Sequence, residues 1–301
     1  MAIEAIVTPE AGAAIFKALV FPGFLAAFAF GFLYIGIIRK AAARMHHRVG
    51  PPLWQPFLDF FKLMSKENIT AKSTYGVLAT LSPIVAFASL LTAGIFIPVA
   101  GTGLVSFPGD LLVVIYFLIL SSVFIALAGF AARNPFASLG GIRELTQLFS
   151  YEFPFVVSLV TVGVLTQFKT VPSFSLVFPF ASFAFVMGML GKLSLPPFHI
   201  PEAEQEIVAG PTTEYSGPRL AMFELAKAAA FWVLISLGAV LFLGADTLPS
   251  FAVCSLGLLA VLIVFRAVFA RLTVGQAFRL YWFIVAPLAV IDLVRVLAGM
   301  Y

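Results

Sequence analysis

Long apolar runs alternate with short polar breaks along the whole chain. Eight stretches, at about 16–38, 77–99, 111–132, 151–168, 176–195, 220–243, 250–268 and 278–298, read as membrane spans, since about 20 apolar residues cross roughly 30 Å of hydrocarbon. Between the first and second runs the pattern changes. Pro51-Pro52 stops any helix continuing from the first run. Beyond it Leu53, Trp54, Phe57, Leu58, Phe61 and Leu63-Met64 recur at spacings of three and four, with Gln55, Asp59, Lys62 and Lys66 mostly on the other side. That period predicts an amphipathic helix at about 52–67, lying in the membrane interface. The pattern as a whole predicts an all-α polytopic membrane protein, one integral membrane domain over 1–301 with about eight transmembrane helices. Pro22, Pro83 and Pro154 fall near the starts of their spans, where a missing N–H costs little.

Composition agrees with the pattern. Of the 301 residues 61% are hydrophobic and 11% charged, against roughly 25% charged in soluble domains. The cations set an orientation. Arg39, Lys40, Arg44, Arg48, Lys62, Lys66, Lys72, Arg133, Arg143, Lys192, Arg219, Arg266, Arg271 and Arg279 fall in alternate connections. The other connections hold only Lys169. Lys and Arg favour the cytoplasmic side, so both termini are expected outside, in a multi-pass protein of the cell (inner) membrane. The N-terminal stretch has acids and no early Lys or Arg, which does not read as a secretory signal.

The acids are unevenly placed. Of 14 Asp and Glu, five (Glu202, Glu204, Glu206, Glu214 and Glu224) fall between 202 and 224. The connection at about 196–219 is therefore acidic and faces a strongly basic first connection, an arrangement suited to interlocking loops or to a docking surface. "HIPEAEQE" also reads as a plain helix start, with Pro201 first and acids at the positive end of the macrodipole. Glu224 and Lys227 lie inside the sixth span, three residues apart on one helix face. A charge deep in a span costs about 2.5–3.5 kcal/mol, so such residues line a polar interior or pair with one another. Glu152, at the mouth of the fourth span, and Glu144 belong to the same class. Asp292 and Arg295 read as a structural ion pair. Carboxylates that meet in low dielectric cannot all stay ionised, so a row of them is a proton path or a charge sensor.

Other chemistry is poorly supported. Cys254 is the only cysteine, which makes no intrachain disulfide and no cysteine-held cluster. His46 and His47 are adjacent and would diverge by about 100° on a helix. His199 reads as a hydrogen-bonded structural residue. The chain carries no redox centre of its own by this reading, and no metal site.

Three stretches, "RVGPPLWQPFLDFFKLMSKE", "RELTQLFSYEFPFVVSL" and "PPFHIPEAEQEIVAGPTTEYSGPRLAMFELA", together resemble the signatures of one family. It is the membrane-anchor subunit (H-type, or mitochondrial subunit 1) shared by respiratory complex I and the energy-converting nickel–iron hydrogenases. The resemblance covers essentially the whole chain, and "EYSGP" looks more like the archaeal hydrogenase-type branch. It implies a non-catalytic subunit that docks a peripheral redox arm and links electron transfer to proton or sodium translocation. It implies a carboxylate path at Glu144, Glu152, Glu202, Glu204, Glu206, Glu214 and Glu224, which the intramembrane Lys227 read above is expected to join, and docking residues Arg48, Asp59, Lys62, Glu67 and Arg143. It further implies hydrogenase-like small and large subunits carrying iron–sulfur clusters and a nickel–iron centre, and antiporter-like membrane subunits. His199 stands where the motif usually has Asp. A quinone-site subunit of an NADH or F420H2:quinone oxidoreductase is the alternative, and composition alone would also fit a stand-alone secondary transporter.

Overall fold

The computed structural model describes residues 16–69, 74–103 and 106–299. The expectations that rest on residues 1–15 and on Lys72 lie outside them. Nine helices organise the described chain: α1 (Phe24–Met45), α2 (Gln55–Met64), α3 (Gly76–Ile95), α4 (Asp110–Ala131), α5 (Pro135–Thr166), α6 (Pro179–Lys192), α7 (Gly217–Leu241), α8 (Leu248–Val268) and α9 (Val274–Leu297). α9 contains a π-helical turn at Tyr281–Val285. No β-ladder forms among the described residues, only an isolated bridge between Phe174 and Leu243.

Seven helices, all but α2 and α6, are long and apolar enough to cross a membrane. The expected span at 176–195 is thus not a full-length helix. α6 has 14 residues, about 21 Å at 1.5 Å per residue. Non-helical chain flanks it at both ends, and within a bilayer such backbone is tolerated only where protein covers it. Leu193, Leu195, Phe198 and Ile200 are buried after α6. Before it, Ser173 and Ser175 N–H groups donate to Val240 and Phe242 carbonyls, at 3.0 and 3.1 Å. The expected span at 151–168 is the second half of the 32-residue α5. Pro154 therefore sits inside a helix, as does Pro83 in α3. "HIPEAEQE" yields only one helical turn, Glu204–Ile207.

Contacts between connections give the sidedness. The α1–α3, α4–α5, α6–α7 and α8–α9 connections meet on one face. There Ile69 N–H donates to Ser216 Oγ at 2.9 Å, Asn134 Nδ2 donates to Glu214, and Leu272 N–H donates to Pro197 O at 3.0 Å. The α3–α4, α5–α6 and α7–α8 connections meet on the other, where Thr170 Oγ1 donates to Phe96 O at 2.6 Å. These are the two groups that the cation bias separates. Lys17 reaches Gly103 O and Arg295 lies over the Phe178 ring, so both ends of the described chain share the cation-poor face.

α7 is the central helix, packed against α1, α2, α3 and α8 and lined with buried Ala, Phe231 and Trp232. Gly31 makes the α1–α7 contact feasible, because a Cβ there would lie 2.2 Å from Ala228 O. α2 docks Phe57 and Phe60 on Phe28 and Phe32 of α1, while Trp54, Leu58 and Phe61 stay exposed. A helix thus forms inside the expected 52–67, at Gln55–Met64, and Phe60, absent from the expected apolar set, is its buried aromatic.

Candidate functional site

A cavity of about 200 Å³ opens among α4, α5, α6, α7 and the acidic connection, large enough for several waters. Its ionisable lining is Glu144, Lys192, His199, Glu202, Glu224 and Lys227. α5 supplies Glu144, one turn beyond the Gly140-Gly141 pair. Those glycines let α5 come close to its neighbours: a Cβ at Gly140 would lie 2.6 Å from Gly210 C, and one at Gly141 2.8 Å from Ala126 O. α7 supplies Glu224 and Lys227.

Lys227 pairs with Glu202 across the cavity rather than with Glu224, Nζ to Oε2 being 2.5 Å. Burial alone would push the Glu202 carboxyl up; the Lys227 ammonium outweighs it and holds the group below the ordinary glutamate range, with His199 adding to the effect. His199 Nδ1 lies 2.8 Å from Ser194 O, the hydrogen-bonded role expected of it.

Lys192 was expected as a loop cation. It is the last residue of α6 and turns inward, donating to Ser121 Oγ at 2.8 Å, Ser122 Oγ at 2.6 Å and the Leu118 carbonyl. Ser122 in turn lies 3.2 Å from the Tyr151 hydroxyl. A lysine after a small-residue helix end carries no sequence signal that separates inward from outward. Glu152, expected at a span mouth, lies well inside α5, and its Oε1 is buried without a protein hydrogen bond.

The other acids are placed differently. Glu206 bridges Arg143 at 2.6 Å and Arg271 at 3.2 Å, half-exposed; the hydrogen bond and charge of Arg143 hold its carboxyl below the usual range. Glu214 accepts from Asn134. Neither lines the cavity. The Glu204 side chain lies outside the described residues. Of the expected docking residues, Arg48, Lys62 and Glu67 are exposed on the cation-rich face. Asp59 instead ties α2 to α1, with Arg39 at 3.5 Å and Gln55 at 2.9 Å.

The model of the NADH dehydrogenase family matches residues 17–297. The chain belongs to that family. Within it, the H subunit of NADH-quinone oxidoreductase from Geobacillus kaustophilus is 31% identical over 90% of each chain. The H subunit from Bacillus cytotoxicus is 32% identical over 87% of this chain and 88% of that one. Among solved structures, a chain of the membrane-bound sulfane sulfur reductase, an archaeal respiratory membrane complex, superposes with a TM-score of 0.83 at 29% identity, covering 93% of this chain and 98% of that one. The NADH dehydrogenase family chain described here is an H-type subunit, of the kind shared by complex I and related complexes, and a multi-pass membrane protein.

Proposed function

We propose that this H-type membrane subunit of a redox complex converts electron transfer in a docked peripheral arm into ion movement through the charges of its cavity. The observation that carries the reading is the cavity itself. Three carboxylates and two ammonium groups from four separate segments converge on one space inside a membrane domain. Such charges are costly in a bilayer and persist where they do work. The cavity abuts the cation-rich face, which the Lys and Arg excess assigns to the cytoplasm. A redox change just above that face would alter the field at Glu224, Glu202 and Glu144, and a shared proton would shift among them. Glu152, Lys192 and Tyr151 extend the polar groups deeper along α5. Glu206 and Glu214 do not line this cavity and lie outside the path by this reading.

The arm would bring the electron-carrying centres: iron–sulfur clusters and, in a hydrogenase-type complex, a nickel–iron centre in its small and large subunits. Exposed Arg48, Lys62 and Glu67 are suited to dock it, and antiporter-like membrane subunits would receive the signal. Membership of this family supports a subunit over a stand-alone transporter. The test is Glu224→Gln and Glu144→Gln in membrane vesicles, with ions pumped counted per electron transferred. At least a tenfold fall in that ratio is expected, and an unchanged ratio removes the residue from the path.

A quinone-site reading also has support, because the curated relatives at 31% and 32% identity are NADH-quinone oxidoreductase subunits. Quinone analogues separate the two: they inhibit turnover of a quinone-reducing complex and leave a hydrogenase-type one unaffected.

A further inference from the structure

A second cavity, of about 310 Å³, lies on the cation-rich face, away from the carboxylate cavity. Arg143 from α5 and Arg271 from the α8–α9 connection both line it, as do Glu206, Thr273 at the N-cap of α9 and the first α9 residues Val274 and Gly275. One carboxylate serves two guanidinium groups here, leaving a net positive charge. The arginine side chains keep only 21% and 28% of their surface, whereas Glu206 keeps 50%. The cations thus sit in the wall, and the carboxylate is the more exposed partner of both.

The surface below this cavity is apolar and aromatic. Phe278 stacks on Trp282, which stacks on Phe153 of α5 with ring centroids 5.3 Å apart and planes 6° from parallel. All three stay exposed, at 39%, 40% and 44%. Val274 of the cavity lies one turn before Phe278 on α9, so charge pocket and aromatic wall are continuous. Guanidinium forks match phosphate oxygens, basic pockets between spans on the cytoplasmic side take acidic head groups, and aromatic rings favour the headgroup level of the bilayer.

We propose that Arg143 and Arg271 form the headgroup site of one anionic phospholipid, whose chains lie along Phe278, Trp282 and Phe153, with Glu206 competing for the same cations. This does not depend on the proposed coupling function. The intact complex, in detergent, is titrated with phosphatidylglycerol and separately with phosphatidylcholine, and bound lipid is counted by native mass spectrometry. Phosphatidylglycerol should bind at least tenfold more tightly than phosphatidylcholine. The R143Q/R271Q double variant should lose that preference, and E206Q should increase it. The opposite signs keep the idea testable even where the double variant fails to assemble. Equal binding of the two lipids overturns it, as does an E206Q variant that binds phosphatidylglycerol no better than the parent, or a partner subunit found covering Arg271 and Phe278 in the assembled complex.

Discussion

Buried acids occur at both membrane faces of this protein, and they are held in opposite ways. On the cation-poor face Asp292 is fully buried, yet its carboxylate accepts the Phe180 and Ala181 N–H groups at 2.9 Å each and Arg295 at 2.9 Å. It caps the N-terminus of α6, where helix dipole and amide donors favour an anion. Asp110 likewise accepts the Thr170 N–H at 2.7 Å. Toward the cation-rich face buried Glu144 makes no protein hydrogen bond among the described residues; it looks onto a cavity with Lys192, Lys227 and the more exposed Glu224. Backbone amides cannot move or lose a proton, so the aspartates are fixed to structure. By the reading proposed above, side-chain cations around a roomy cavity would leave a proton free to change owner. On the proposed reading, the nature of an acid's partners, rather than burial alone, separates a coupling acid from a structural one.

The difference can be broken most sharply at Asp292. Asp292→Ala uncaps α6 and leaves the Phe180 and Ala181 N–H groups without their acceptor, at about 1–3 kcal/mol for each, while Arg295 keeps 38% of its side-chain surface and is screened. The thermal midpoint of the purified complex should fall markedly, while ions pumped per electron in the surviving complex stay at the parent value. A stable Asp292→Ala complex that has lost coupling would erase the division between the two faces. Gly140→Ala comes next. Its Cβ would lie 2.6 Å from the Gly210–Pro211 backbone, and overpacking of this kind costs about 1–3 kcal/mol. Both the midpoint and the coupling should suffer, because the clash displaces Glu144 relative to the acidic connection.

Lys227→Met is smaller. Glu202 keeps 36% of its side-chain surface, so the lost pair is screened and its cost is about 1 kcal/mol. The sign with pH follows from the lowered Glu202 carboxyl. Its contribution is present above the ordinary glutamate range, about pH 4.3, and is lost as pH falls through the depressed folded value. The midpoint gap between parent and Lys227→Met should be open at neutral pH and close in acid. Glu206→Gln comes last. Its carboxylate is half-exposed, and no measurable change in midpoint is expected, in contrast to its effect on lipid.

Much of this was legible in the sequence because a bilayer punishes ambiguity. Seven spans, the helix at Gln55–Met64 and the two groups of connections follow from apolar length, Pro51-Pro52 and the cations alone. Two things did not. The first half of α5 reads as a polar connection, with Gly140-Gly141, Arg143, Glu144 and Gln147, since its helix is stabilised by close packing on Gly129 and Gly210 rather than by lipid. The length of α6 was overestimated because apolar residues that bury extended backbone look like those that bury helix. In the cavity, Glu224 and Lys227 were visible as intramembrane charges. That Lys227 would choose Glu202, and that Lys192 would turn inward, depends on contacts across 25 and about 70 residues of chain, which no local pattern encodes.

The central place of α7 also bears on how the protein is made. This helix carries Arg219, Glu224 and Lys227, a load that an isolated segment partitions into lipid only reluctantly, at about 2.5–3.5 kcal/mol for each central charge. Its packing neighbours α1 and α3 precede it in the chain and leave the ribosome first. Synthesis order thus delivers the sheltering wall to the membrane before the charged segment arrives to lean on it.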